Sequence, residues 1–292
     1  MKLRTTELIA GTFSSFDQTQ IYYEVRGKGD PVIFVYGIAC LMNHWHHQIG
    51  YFSKDYKTVS FDLRGHHKSA TPKDDSNLTL EALAKDLIAL CEHLNIKKAH
   101  FLGHSFGVQV LLRAYELSPE SFKSMTFING FAKNPIKGMF GVDVVEQFFS
   151  LFKQTYGMAP DAWEKVWKFA VTHPISIPLT AMAGGFNLSQ TQLKDIQIYA
   201  RGVSALSLDV FSKFFEELMA YDGEGILPKI KVPTLIMSGE KDGVTPQKYQ
   251  HHMKSLIPGS EFVSVPYGSH CTQLDFPDFV NLRIEKFIRE VK

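Results

Sequence analysis

Residues 99–117 read AHFLGHSFGVQVLLRAYEL, and few folds can hold such a stretch. A short apolar strand over Ala99–Leu102 runs into Gly103-His104-Ser105-Phe106-Gly107. A helix follows from about Phe106 to Leu117, and Ser118-Pro119 ends it. A Gly-x-Ser-x-Gly match alone recurs by chance in roughly one chain in ten of this size. Its setting between a buried strand and a helix gives it weight. Gly103 and Gly107 leave room for a sharp strand-to-helix turn in which larger side chains would collide. Such a turn projects Ser105 from the sheet at the carboxyl ends of the strands, where open sheets bind ligands. The helix N-terminus beside it favours developing negative charge.

The rest of the chain fits this unit. Segments 7–13 and 20–25 read as strands separated by the turn-rich Ser14-Ser15-Phe16-Asp17. Pro31–Tyr36, PVIFVY, is a continuous apolar run suited to a strand buried on both faces. Tyr56–Phe61 is a further strand. Leu80, Leu83, Leu87, Leu90 and Leu94 recur at helical spacing, and Met125–Ile128 is strand again. Strands alternating with helices imply parallel strands joined by right-handed crossovers. Between residues 131 and 222 the pattern breaks into helical text rich in Phe, Trp and Met. Alternation returns with Thr234–Ser238 (strand), Pro246–Leu256 (helix), Glu261–Val265 (strand) and a last helix carrying Val280, Ile284, Phe287, Ile288 and Val291. The expected fold is α/β: a doubly wound, mostly parallel sheet over residues 1–130 and 223–292, with a helical insertion over 131–222.

Composition removes several classes. The chain has 292 residues, is 45% hydrophobic and 21% charged, and has a formal net charge of +1. It carries no basic run that would mark a nucleic-acid partner. No apolar stretch approaches the roughly 18 residues of a membrane span, so stable membrane insertion is not expected. The opening MKLRTTELIAGTF lacks a secretory h-region. Cys40, Cys91 and Cys271 suit reduced thiols rather than a disulfide framework, which points to a cytoplasmic protein. With 23 Phe, many rings must be buried or line an apolar cavity. Oligomeric state is left open.

A neutral serine hydroxyl needs a base within hydrogen-bond reach, and the base needs a third group to orient it. After the strand TLIMS comes GEKDGVTP, which offers Asp242; after EFVSV comes PYGSHC, which offers His270. Glu240 and Asp222 are the nearby competitors for the acid. The order Ser105, Asp242, His270 is the one expected for a strand-elbow-helix plan.

Four motifs, VYGIA at 35–39, FDLRGHHKS at 61–69, GHSFG at 103–107 and the pair GEKDGVTP and GSH, together resemble the α/β-hydrolase superfamily of esterases, lipases and related enzymes. The resemblance covers about residues 18–130 and 223–292 and implies that the insertion is a helical cap. It implies a catalytic triad of Ser105, Asp242 and His270 and an oxyanion hole from the backbone N–H groups of Ile38 and Phe106. Tyr36 stands where the family has histidine before Gly37, and His67 stands where it has glycine. The implied activity is hydrolysis of a carboxylic ester with an apolar acyl or alcohol part, a small-molecule substrate, through an acyl-enzyme and without a cofactor. Thioesters, lactones and perhydrolysis are served by the same triad. Acyl transfer to an alcohol is a further reading, and a triad-bearing small-molecule receptor is the non-enzymatic one.

His104 is expected to pack beside the nucleophile. The cluster NHWHHQ, residues 43–48, holds His44, His46 and His47 without the carboxylate or cysteine company of a known metal site, so no metal is expected. The pairs His66-His67 and His251-His252 are expected to be solvated. Cys271 is expected to fill a gap rather than react. Among Phe140, Phe148, Phe149, Phe152, Trp163, Trp167, Phe169 and Phe186, some rings should line a pocket. Ala183-Gly184-Gly185 is expected to be a turn rather than a hinge.

Overall fold

The structure, a computed structural model, describes residues 7–136, 139, 144–176, 178–179 and 184–291. Phe140 and Ala183, named above, lie outside the described residues. The chain opens with strands β1 (Leu8–Ser14), β2 (Gln20–Arg26) and β3 (Pro31–Val35). Helix α1 (His46–Phe52), β4 (Lys57–Phe61), α2 (Leu80–His93), β5 (Ala99–His104), α3 (Phe106–Leu117) and β6 (Phe122–Ile128) follow. Helices α4 (Val145–Tyr156), α5 (Pro160–Thr172), α6 (Leu193–Ala205) and α7 (Leu208–Ala220) fill the segment between β6 and β7. The chain ends with β7 (Thr234–Gly239), α8 (Lys248–Leu256), β8 (Glu261–Val265), α9 (Thr272–Asp275) and α10 (Pro277–Glu290).

The sheet has eight strands in the order β1-β2-β4-β3-β5-β6-β7-β8. β1 and β2 pair antiparallel and β2 joins β4 antiparallel; the pairs from β4 to β8 are parallel. Every residue of β5 and β7 is buried, as expected for central strands covered on both faces. The register sets Val35 beside Gly103, Gly103 beside Phe127, Ile128 beside Met237 and Gly239 beside Val265. Parallel pairing therefore brings the carboxyl ends of β3, β5, β6, β7 and β8 to one edge. The loops leaving these ends carry Ile38, Ser105, Asn129, Asp242 and His270.

Arg64, fully buried, locks the loop after β4 to its neighbours. It holds Asp86 of α2 at 2.7 and 2.6 Å, and Asp17 and the Asn77 carbonyl at 2.9 Å. His66 is buried too, against expectation. Its Nδ1–H donates to the Arg64 carbonyl at 3.1 Å, which leaves Nε2 to accept the Ala39 N–H at 3.4 Å. It serves as an internal strut between two loops, whereas His67, His251 and His252 are exposed as expected. No helix among the described residues is long and apolar enough to cross a membrane.

Candidate active site

Ser105 sits between β5 and α3 with φ 54° and ψ −124°, outside the ordinary regions for a side-chain-bearing residue. The neighbouring glycines make this turn possible. A Cβ on Gly107 would come within 2.4 Å of the Val35 carbonyl oxygen, and one on Gly103 within 2.8 Å of Leu111 Cδ1. A Cβ on Gly37 would lie 2.9 Å from Ser105 Cβ, so the loop after β3 passes directly against the serine.

Asp242 and His270 meet across the ends of β7 and β8. His270 Nδ1 lies 3.0 Å from Asp242 Oδ2. Asp242 Oδ1 accepts the N–H groups of Val244 and Thr245 at 2.9 and 2.8 Å, and the Thr245 hydroxyl lies 2.7 Å from Oδ2. These bonds aim the carboxylate at the imidazole. The competitors lie elsewhere: Glu240 accepts the Tyr267 N–H, and Asp222 accepts the Glu224 N–H beside a backbone β-bridge to Lys133. Ser105 and His270 line the same cavity. The serine hydroxyl makes no hydrogen bond to a described residue, a looseness common in unliganded sites.

Ile38 and Phe106 hold the two backbone donors expected beside the serine. Neither N–H donates to a described residue. Tyr36 does not face the cavity. Its buried hydroxyl donates to Asp62 Oδ1 at 3.2 Å and accepts the Leu63 N–H at 2.8 Å, tying the loop after β3 to the loop after β4. His67 takes φ 47°, the left-handed conformation a glycine would adopt easily, and its Nε2–H donates to the Cys40 carbonyl at 2.8 Å. That hydrogen bond helps hold His67 in this conformation.

His104 is buried, and its Nε2–H donates to the His270 carbonyl at 2.8 Å. Asn129, which carries no recognisable signal in the sequence, donates to the same carbonyl at 2.7 Å and to Ser269 O at 3.0 Å. Its Oδ1 accepts the Gly239 N–H at 2.7 Å. A turn within the insertion, between α5 and α6, also holds this loop: the His270 N–H donates to Gly184 O at 2.9 Å. Gly184, at φ 82°, is so close to Gly243 that a Cβ would come within 2.3 Å of its nitrogen. This is a pinned turn. Cys271 is fully buried beside Phe186, Ile196 and Leu274, and burial pushes its thiol well above the usual range, as befits a gap-filler.

Ser105 and His270 open on a cavity of about 520 Å³. Phe148, Phe149, Trp167 and Phe186 line it, as do Phe211 and Phe215, whose place in the wall the sequence does not reveal. Phe152 and Trp163 instead pack together within the insertion, and Phe169 is exposed. Trp45 lies in the core, against Phe34 of β3 and edge-on to His104.

Comparison with known proteins agrees with this fold. The family model for the alpha/beta hydrolase fold matches residues 30–277. Strigolactone esterase D14 of Arabidopsis thaliana is 26% identical over 265 residues, 87% of this chain and 90% of that protein. RutD of Azorhizobium caulinodans, whose name assigns it provisionally to carbamate hydrolysis, is 22% identical over 272 residues, 93% of this chain and 96% of that protein. Among solved structures, an esterase from Thermogutta terrifontis is similar in fold, with a TM-score of 0.76 at 19% identity, covering 97% of this chain and 99% of that one. The chain belongs to the alpha/beta hydrolase fold family.

Proposed function

We propose that the protein is a serine hydrolase that cleaves a carboxylic ester with an apolar acyl or alcohol part. One observation carries this reading: Ser105, on a strained turn, shares an apolar cavity with His270, whose Nδ1 is bound to buried Asp242. In the proposed mechanism the Ser105 hydroxyl attacks the ester carbonyl while His270 Nε2 takes its proton. Asp242 holds the imidazole in the tautomer that leaves Nε2 bare and stabilises the imidazolium. The N–H groups of Ile38 and Phe106 bind the oxyanion, a role supported by their having no acceptor among the described residues. His270 then protonates the leaving alcohol, and a water deprotonated by His270 releases the acid and restores Ser105. In this reading residues 131–222 are a cap over a core of 1–130 and 223–292. The aromatic wall supports an apolar substrate, and the hydrolytic names of the relatives are in keeping with it.

Steady-state hydrolysis of p-nitrophenyl esters from acetate to laurate, with Ser105→Ala alongside, tests the reading. The wild type should turn over, and the variant should lose at least about 10⁴-fold in kcat. A folded wild type inert towards every ester would overturn the ester assignment. Activity surviving in Ser105→Ala would overturn the nucleophile.

A further inference from the structure

His46 and His47 open α1 in the core, with no carboxylate near them in sequence. The fold supplies one from the insertion: Asp195, in the first turn of α6, 148 residues beyond His47. His47 Nε2 lies 3.1 Å from Asp195 Oδ2, and His46 Nε2 lies 3.3 Å from Oδ1. The carboxylate is buried, with 4% of its side chain exposed, while the imidazoles are 32% and 24% exposed.

The tautomer of His46 follows from its other nitrogen. Nδ1 lies 2.8 Å from the Asn43 carbonyl, and a carbonyl only accepts, so Nδ1 carries the proton. In the neutral ring Nε2 is then a bare lone pair aimed at a carboxylate oxygen. Two acceptors facing at this distance repel unless something positive lies between them. A proton is one solution, and it serves this one pair. A metal ion is the other.

We infer that His46, His47 and Asp195 form a three-ligand site for a divalent transition-metal ion of the Zn²⁺ type, which staples α6 of the insertion to α1 of the core. Zinc bonds of about 2.0–2.1 Å to nitrogen and oxygen at tetrahedral angles place neighbouring donors about 3.3 Å apart. The observed separations, 3.1 Å from His47 to Oδ2 and 3.3 Å from His46 to Oδ1, are of this size but reach different oxygens; one donor atom from each residue lies within 4.8 Å of the other two. Two imidazoles with one carboxylate suit zinc better than calcium or magnesium, which prefer all-oxygen shells. A ligating histidine that donates its second N–H to a backbone carbonyl, as His46 does to Asn43, is the usual outer-shell support. A surface cleft lined by Asn43, His46 and Asp62 reaches one of the three ligands from solvent.

Cys40, His44 and His104 form a second donor trio within the same span, but it is completely buried. The test must therefore separate the two. The full-length protein, stripped with chelator, is titrated with Zn²⁺ at pH 7.5 by calorimetry and melted with and without the ion. One Zn²⁺ per chain and a raised Tm are expected. Asp195→Asn and His47→Gln should each weaken binding by more than the roughly 10–100-fold that loss of an outer-shell partner costs. Cys40→Ser should leave affinity unchanged. No saturable binding overturns the site, as does binding that survives both variants or is lost in Cys40→Ser. If the variants fail to fold, crystals of the wild type soaked in Zn²⁺ decide it. An anomalous peak among the three side chains supports the site; a peak elsewhere, or none, overturns it. Both readouts are independent of turnover and so of the Ser105 reading.

Discussion

Asn129 follows β6 with φ 48°, and its amide reaches two other strand ends. It accepts from Gly239 at the end of β7 and donates to the carbonyls of Ser269 and His270 beyond β8. It touches no reacting atom in the proposed mechanism, so it is a positioning residue. Asn129→Ala should free the His270 loop and lower kcat about 10²-fold, since small misplacements of a base cost that much, with KM nearly unchanged. Kinetics on the preferred p-nitrophenyl ester check this; a lower Tm with unchanged kcat would make Asn129 structural only. Tyr36 should behave in the opposite way. Its hydroxyl is engaged by Asp62 and Leu63, so Tyr36→Phe leaves a buried N–H without its partner. It should cost about 1–3 kcal/mol in chemical denaturation while kcat barely changes. Asp242 and His270 were legible because each follows an apolar strand in the order the serine demands. Asn129 was not, because one polar residue after a strand looks like any turn residue. Thr245 lies inside a recognisable motif, yet only the folded loop shows its hydroxyl against Asp242.

The inserted helices meet the core through specific faces. Asp195, Tyr199 and Gly202 lie at spacings of four and three on α6, hence on one side. Asp195 meets His46 and His47, and the Tyr199 ring lies 5.7 Å from that of His44. A Cβ on Gly202 would come within 2.0 Å of Leu41 Cδ2. On α7, Glu217 Oε2 accepts the Leu80 N–H at 2.7 Å, one of the orphan donors at the start of α2, while Thr79 serves the Ala82 N–H. An anion there also suits the helix dipole. Glu217→Ala should destabilise the protein by about 1 kcal/mol, read as a lower denaturation midpoint at unchanged slope. An unchanged midpoint would mean that water replaces the carboxylate at no cost. The central strands were legible as unbroken apolar runs. The insertion was legible only as helical, because an amphipathic period shows that a face is apolar but not what it covers. His66 was misjudged for a related reason: sequence cannot tell a polar pair at the surface from one whose first ring is an internal strut.

Across the molecule, the parallel sheet gathers the proposed chemistry at one edge, and the insertion encloses the space above it. The strand ends fix where Ser105 and His270 stand; α4 to α7 then set the shape of the cavity. Phe211 of α7 is the informative wall residue. Its ring stacks on Phe215 at 5.5 Å and lies 5.1 Å from Trp167, with all three facing the cavity. It forms none of the proposed catalytic contacts, so trimming it should change size selection rather than chemistry. In Phe211→Ala the space left by the ring becomes available to a longer acyl chain. Each further buried CH₂ is worth about 0.8 kcal/mol, or about fourfold in kcat/KM. The p-nitrophenyl ester optimum should therefore move to longer chains, with short esters changed little. The same truncation removes core contacts, so a lower Tm is expected alongside and must be measured. A shifted optimum would place the acyl chain beneath α7. An unshifted optimum in a folded variant would direct it towards Phe131 and Phe186, which also line the cavity.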